Sequence, residues 1–196
     1  MSSHSDKVIA IVLAAGQGSR FGGDKLLAKM TDGRSVIEHT MESVIAVFDQ
    51  CLCVVRREDE RLQKLLDQLN CPWMIAESAA EGLSQTICAA VAHTSSASGW
   101  VFLLGDMPSI QESTLQALKD KLEVADRNRI VAPRENEKIG NPVGFSFHFF
   151  EQLVALRGDV GARHLLRENP KSLVFVDVND AGIFYDVDYR KDLSGL

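Results

Sequence analysis

Cysteine and proline are scarce in this 196-residue chain, with four of the first and five of the second. Cys51, Cys53, Cys71 and Cys88 form no C-x-x-C pair. They have neither the spacing of a zinc site nor the density of a disulfide framework. They read as small buried apolar residues in a reducing compartment. Positive charge is also short: 21 Lys and Arg stand against 27 Asp and Glu, a net charge of −6. Without a basic excess or a basic stripe, general nucleic-acid binding is not expected. No apolar run is long enough for a membrane span. The opening segment Met1–Lys7 carries no apolar signal-peptide region. A soluble cytoplasmic protein is therefore expected, with no nucleic-acid or membrane partner. The five histidines show no metal spacing, and Ser19 lacks the G-x-S-x-G elbow of a nucleophile.

What is present is ordinary globular composition, 45% hydrophobic and 24% charged. A chain of this length buries a core without staples and suggests one domain over residues 1–196. Val8–Leu13 is a continuous β-branched run, the mark of a strand buried on both faces. Ser35–Phe48 reads as a helix opened by a Ser35/Glu38 capping box. Strand Cys51–Val55, helix Glu58–Leu69, strand Trp73–Ala76, helix Leu83–Ala92 and strand Trp100–Leu104 follow. Ser109, with Glu112 as capping-box partner, is expected to open a helix to about Ala125. Such alternation predicts an α/β fold with a mostly parallel sheet. Further on, Ile130–Ala132, Val143–Phe147, Leu173–Val178 and Ile183–Val187 read as strands, and Gly161–Glu168 as a helix. Met107 and Phe145 read as packing residues.

Five stretches carry chemistry. Gly16, Gly18, Gly22 and Gly23 follow the first strand, with Arg20 and Lys25 among them. A Gly-rich loop in that place lets backbone N–H groups approach a phosphate. The spelling misses the dinucleotide fingerprint, because Phe21 stands at its third glycine, and misses the Walker A loop, because Asp24 follows Gly23 and Leu26 follows Lys25. Two cations beside loop amides suit a triphosphate, whose leaving pyrophosphate gathers charge. Asp106, in Gly105-Asp-Met-Pro108, follows a buried strand and is a candidate magnesium ligand; a turn residue is the other reading. Asp186 and Asp188 are two acids at i, i+2, suited to a shared metal, with Asp188 alternatively capping a short helix. Glu81-Gly82-Leu83-Ser84 opens a helix, and Ser84 is either its cap or a contact to base, sugar or phosphate. Asn141-Pro142, preceded by Arg134, is a rigid turn that either holds a second substrate or is only a turn. Gly158–Arg163 opens a helix and is a potential anion site, or a cap with a surface arginine.

In this order, L-A-A-G-x-G-x-R-F-G-x-x-K, E-G-L-S, L-L-G-D-M-P, G-N-P-V-G-F, G-D-V-G-A-R-x-L-L and D-V-D, the motifs resemble the MobA-like nucleotidyltransferases. They are most similar to the molybdenum cofactor cytidylyltransferases, over about Val8 to Leu193. Leu13-Ala-Ala-Gly16, where the guanylyl branch has L-A-G-G, points toward CTP. The resemblance implies a Rossmann-like three-layer α/β/α sandwich with a nucleotide half near 7–108 and an acceptor half near 109–196. It implies transfer of CMP from Mg–CTP to the terminal phosphate of molybdenum-bearing molybdopterin, releasing pyrophosphate. A molybdoenzyme that receives the cofactor, or its chaperone, is the implied partner. By the same resemblance Leu13, Ala14, Ala15, Gly16, Gly82, Leu83 and Ser84 frame base and ribose. Gly16, Gly18, Arg20 and Lys25 hold the triphosphate. Asp106 binds Mg2+, with Asp186 or Asp188 as second carboxylate, and Asn141, Pro142 and Arg163 lie on the pterin side. The turn reads G-N-P where many relatives have G-H-P, and the tail D-V-D-Y-R-K-D where D-I-D-T-P-E-D is common. Other classes remain open from residues alone: transfer to a sugar 1-phosphate or phospholactate, a nicotinamide-dependent oxidoreductase on this fold, or a non-catalytic nucleotide binder.

Overall fold

The structure, a computed structural model, describes residues 7–16, 18, 21–77, 82–124 and 128–194. Its strands are β1 (Val8–Leu13), β2 (Cys51–Val55), β3 (Trp73–Ile75), β4 (Gly99–Leu104), β5 (Ile130–Glu135), β6 (Lys138–Ile139), β7 (Val143–Ser146) and β8 (Leu173–Asp177). Its helices are α1 (Val36–Val47), α2 (Glu60–Gln68), α3 (Leu83–His93), α4 (Glu112–Glu123), α5 (Phe150–Val154) and α6 (His164–Glu168). The strands form one sheet in the order β3-β2-β1-β4-β7-β5-β6, with β8 paired to β5. Pairs β1–β2, β2–β3, β1–β4 and β5–β8 are parallel, while β7 runs antiparallel between β4 and β5.

The apolar run of β1 explains why two layers of helix form. Alternate side chains of a strand point to opposite faces. Val8, Ala10 and Val12 join a core with Ile37 and Met41 of α1, Leu66 of α2 and Leu118 of α4. Ile9, Ile11 and Leu13 join the opposite core with Ile87 and Val91 of α3, Leu153 of α5 and Leu165 of α6. All six residues of β1 are buried, as a central parallel strand requires. Met107 and Phe145 are buried packing residues, as expected. Each fully buried Leu, Ile or Phe contributes about 1.5–3 kcal/mol by leaving water, so the two cores hold the sheet rigid beneath its loops.

Several expectations are corrected. The Ser35/Glu38 capping box opens α1 as read from sequence, but Ser109 and Glu112 do not cap α4. That helix begins three residues later, and Asp180 braces its start, accepting from the backbone N–H of the cap residue Gln111 and from the Thr114 hydroxyl. Residues Ile183–Val187 are not a strand. Ala181–Phe184 is a 3-10 turn, and Gly182 packs there against the Ser109 carbonyl. Gly161–Glu168 shortens to the five residues of α6, so no helix N-terminus forms an anion site at Gly158–Arg163. Val143–Phe147 ends as a strand at Ser146, where Phe147–Phe149 turns into a 3-10 helix leading to α5. The four cysteines are free thiols, but only Cys53 and Cys71 are buried; Cys51 and Cys88 are half-buried. No helix among the described residues is long and apolar enough to cross a membrane.

Candidate active site

In an open α/β sheet, ligands bind at the carboxyl ends of the strands where the order reverses direction. Here that point lies between β1 and β4, the strands whose following loops carry Lys25 and Asp106. A cavity of about 550 Å³ opens there. Leu13, Ala14, Gly16, Gly18, Gly23, Asp24 and Lys25 form one wall, Asp106 closes the floor, and Arg56, Asp59, Arg61 and Leu62 from the end of β2 and α2 form the other. Its volume suits a nucleotide-sized ligand. Among the described residues, five acids line it against three cations.

The Lys25 ammonium is the hub. Its Nζ donates to Asp106 Oδ2 at 2.5 Å and lies 3.4 Å from Asp188 Oδ1, and its side chain is only 12% exposed. Burial opposes the charge on Lys25, but the hydrogen bonds and charges of Asp106 and Asp188 outweigh it, and the pKa is raised. Asp186 belongs to the same group: burial first, then the negative charges of Asp106 and Asp188, push its pKa up. Asp188 does not cap a helix. Instead Asp192 Oδ2 accepts from the backbone N–H groups of Asp188 and Tyr189, which aims the Asp188 carboxylate at Lys25. The strand-end segment is fixed to Asp106 itself, since Val187 N donates to the Asp106 carbonyl at 2.9 Å.

Oδ1 of Asp106 is buried and has no hydrogen-bond partner among the described residues. An unsatisfied buried carboxylate oxygen is costly unless something comes to it. With hard oxygen donors on Asp106, Asp186 and Asp188, the residues fit a divalent cation such as Mg2+. Lys25 now stands among these acids as their counter-charge, and among the described residues no three His, Cys, Asp or Glu side chains form a ready cage.

Other predicted residues lie elsewhere. Arg20 is outside the described residues, as is Glu81. Ala15 is buried beside the cavity wall rather than lining it. Gly82, Leu83 and Ser84 stand at the start of α3, apart from the cavity walls, with Ser84 Oγ buried and without a partner. The cap of α3 is Gly82, not Ser84, and Ser84 N donates to the Gly158 carbonyl. Gly82 is obligatory: its φ is +110°, and a Cβ there would fall 1.8 Å from Asp159 Oδ1 and 3.0 Å from the Gly158 carbonyl. Asn141 and Pro142 precede β7, whose antiparallel register puts that turn beside the carboxyl end of β4, and Asn141 N donates to the Ile183 carbonyl. Arg163 is exposed and its guanidinium donates to the Ile139 carbonyl at 3.1 Å. None of these three lines the cavity. Arg134 is drawn away by Asp177 and stacks over Phe175.

Sequence reading passed over Arg56, which forms a two-point pair with Asp59 at 2.9 and 2.6 Å inside the cavity, and Arg61, paired with Asp24. The available signal was Arg56-Arg57 directly after a buried strand, the same position in the sheet that made Asp106 visible.

Residues 10–173 match the MobA-like NTP transferase domain. Among curated proteins, the chain is 26% identical to the purine catabolism protein PucB of Bacillus subtilis (strain 168), over 94% of this chain and 93% of that one. It is 29% identical to a probable molybdenum cofactor guanylyltransferase of Natranaerobius thermophilus, over 61% and 60%. The match to the bifunctional protein GlmU of Ruthia magnifica spans 58% of this chain but only a quarter of that longer protein. Among solved structures, Rv0371c of Mycobacterium tuberculosis H37Rv superposes with a TM-score of 0.81 at 25% identity, over 98% and 96% of the two chains; it is also known as a manganese complex. A CMP:2-keto-3-deoxy-manno-octonic acid synthetase shares the fold at a TM-score of 0.78 and 13% identity, over 95% of each chain. The chain therefore belongs to the MobA-like NTP transferase family, and is a nucleotidyltransferase of Rossmann-like three-layer fold.

Proposed function

We propose that this nucleotidyltransferase moves CMP from Mg–CTP to the terminal phosphate of molybdenum-bearing molybdopterin, giving the cytosine dinucleotide cofactor and pyrophosphate. The observation that carries nucleotidyl transfer is the Lys25–Asp106–Asp188 cluster at the β1/β4 crevice, with a buried, unpartnered Asp106 Oδ1. CTP and the pterin acceptor rest on the motifs Leu13-Ala-Ala-Gly16 and Gly82-Leu-Ser84 and on their likeness to the cytidylyl branch. The chain works as one domain, with nucleotide on the β1–β4 half and acceptor on the half that follows.

In this reading Leu13, Ala14 and Ala15 support the base and ribose, and the backbone N–H groups of Gly16 and Gly18, with Arg20, receive the phosphates. Asp106, Asp186 and Asp188 would hold Mg2+, which when bound neutralises charge between phosphate oxygens. Lys25 swings its hydrogen bonds from Asp106 to the β- and γ-phosphates and takes up charge on the leaving pyrophosphate. An acceptor phosphate oxygen attacks the α-phosphorus as the bond to the bridging α–β oxygen breaks. That nucleophile is already anionic, so no general base is required and positioning carries the catalysis. Asn141, Pro142 and Arg163 orient the acceptor at the strand ends beside β4. The product passes to a molybdoenzyme or its chaperone in the cytoplasm.

Titration calorimetry with ATP, GTP, CTP and UTP, with and without magnesium, tests the nucleotide half of the reading. Magnesium-dependent preference for CTP is expected. Preference for another triphosphate would remove CTP while leaving the transferase. Pyrophosphate release with molybdenum-bearing molybdopterin, compared with sugar 1-phosphates and phospholactate, tests the acceptor.

A further inference from the structure

Among the described residues, every cation that lines the cavity is already committed to an acid: Lys25 to Asp106, Arg56 to Asp59 and Arg61 to Asp24. A triphosphate entering a cavity lined by more acids than cations needs positive charge that is not tied up in this way. One such charge stands at the rim. Arg190 stacks over the ring of Phe21, with its guanidinium carbon 5.2 Å from the ring centroid. Its Nη2 lies 3.8 Å from where a Cβ on Gly23 would stand, and Gly23 is part of the cavity wall. Among the described residues Arg190 pairs with no carboxylate, whereas Arg34, Arg57 and Arg134 on the surface each do.

The placement is built from both sides. Phe21, at the tip of the Gly-rich loop, is buried in a small cluster with Met30, Val36 and Val187. The tail is fixed there by Val187 N on the Asp106 carbonyl and by the Asp192 carboxylate under Asp188 and Tyr189. Arg190 is thus two residues past the carboxylate that meets Lys25, across the loop from it. A planar guanidinium spread on an aromatic face keeps its edge N–H groups free and pre-aimed for bidentate phosphate binding.

We propose that Arg190 is a phosphate-contacting residue, held on Phe21 at the rim of the Gly-rich loop, that binds the β- and γ-phosphates of the nucleotide and the departing pyrophosphate. This rests on the nucleotidyltransferase reading of the same cavity. The test measures inorganic pyrophosphate, CTP and CMP binding by calorimetry in magnesium buffer, for the unaltered protein, Arg190→Gln and Arg190→Lys. Loss of a charge-assisted contact predicts pyrophosphate and CTP affinity about ten-fold weaker for Arg190→Gln. CMP affinity stays unchanged, and Arg190→Lys lies between. Unchanged pyrophosphate affinity in Arg190→Gln overturns the proposal. So does an equal loss for CMP and pyrophosphate, which marks a residue that only fastens the tail. If the unaltered protein binds neither pyrophosphate nor any nucleoside triphosphate, the nucleotidyltransferase reading fails first and the proposal falls with it.

Discussion

Replacing Lys25 with methionine separates two jobs that its ammonium performs. The side chain keeps its length and apolar stem, so the 12% exposed slot stays filled. The charge that satisfies Asp106 Oδ2 and Asp188 Oδ1 is lost. Two opposite effects follow. Turnover falls, because nothing replaces the cation that neutralises the leaving pyrophosphate; loss of one such electrostatic group costs about 10²–10³-fold. Binding of a divalent ion without nucleotide strengthens, because the cation that competes for the same carboxylates is gone. Two unit charges about 4 Å apart interact by roughly 1 kcal/mol in water and more near a protein surface. Removing repulsion of that size makes the metal bind on the order of ten-fold tighter. Manganese titration followed by electron paramagnetic resonance reads the second effect, and pyrophosphate release reads the first. Loss of turnover with unchanged or weaker manganese binding would refute the idea that Lys25 holds the place of a metal. Near-normal turnover would remove Lys25 from the chemistry altogether.

Asp106→Asn keeps the shape of the floor but halves the ligand power of the orphaned oxygen, and is expected to lower turnover at least about 10²-fold in the pyrophosphate assay. Asp180 is buried and accepts from Gln111 N, Thr114 Oγ1 and Gly182 N. Asp180→Ala strands three donors and costs about 3 kcal/mol in chemical denaturation; an unchanged midpoint would show that water replaces the carboxylate without loss. Glu38 has its pKa lowered, chiefly by the Ser35 side chain and then its backbone N–H. Its capping contribution is complete above the ordinary carboxylate pKa and is lost as pH falls through the depressed folded value. The stability gap between the parent and Glu38→Gln, about 1 kcal/mol near neutrality, should therefore close in melts taken toward pH 3; a constant gap contradicts it.

Local patterns made the first two-thirds of the fold legible. β1 declares itself by an unbroken apolar run, α1 by Ser35 and Glu38, and the β1/β4 crevice by a Gly-rich loop and an aspartate at two buried strand ends. Where partners are distant, the same reading failed. Nothing near Gln111 says that its N–H will be capped by a carboxylate 69 residues later. Ile183 and Val187 alternate like a strand and are both buried, yet Ile183 lies in a 3-10 turn where Gly182 closely approaches the Ser109 backbone. Asp24 and Arg61, both lining the cavity, meet across 37 residues, a pairing no spacing rule contains. The hub itself was half visible: Lys25 and Asp106 could be named from sequence, but not that they would bond to each other.

The segment that sequence reading took for a strand, with Asp186 and Asp188 named as carboxylates, also ties several parts of the crevice together. Between Asp180 and Arg190 the chain caps α4, hands the Ile183 carbonyl to Asn141, ties Val187 to Asp106, presents Asp188 to Lys25 and lays Arg190 on Phe21. The family match covers residues 10–173, and this strap lies beyond it. On the proposed function, a substitution in the strap reaches nucleotide and acceptor sides at once. Gly182→Ala puts a Cβ 2.2 Å from the Ser109 carbonyl, an overlap that only backbone movement relieves. If the strap is a single lever, Gly182→Ala shifts Asp188 away from Lys25 and weakens pyrophosphate binding together with acceptor use. If its contacts act independently, only the contacts beside Ser109 loosen, and pyrophosphate affinity survives the loss of stability.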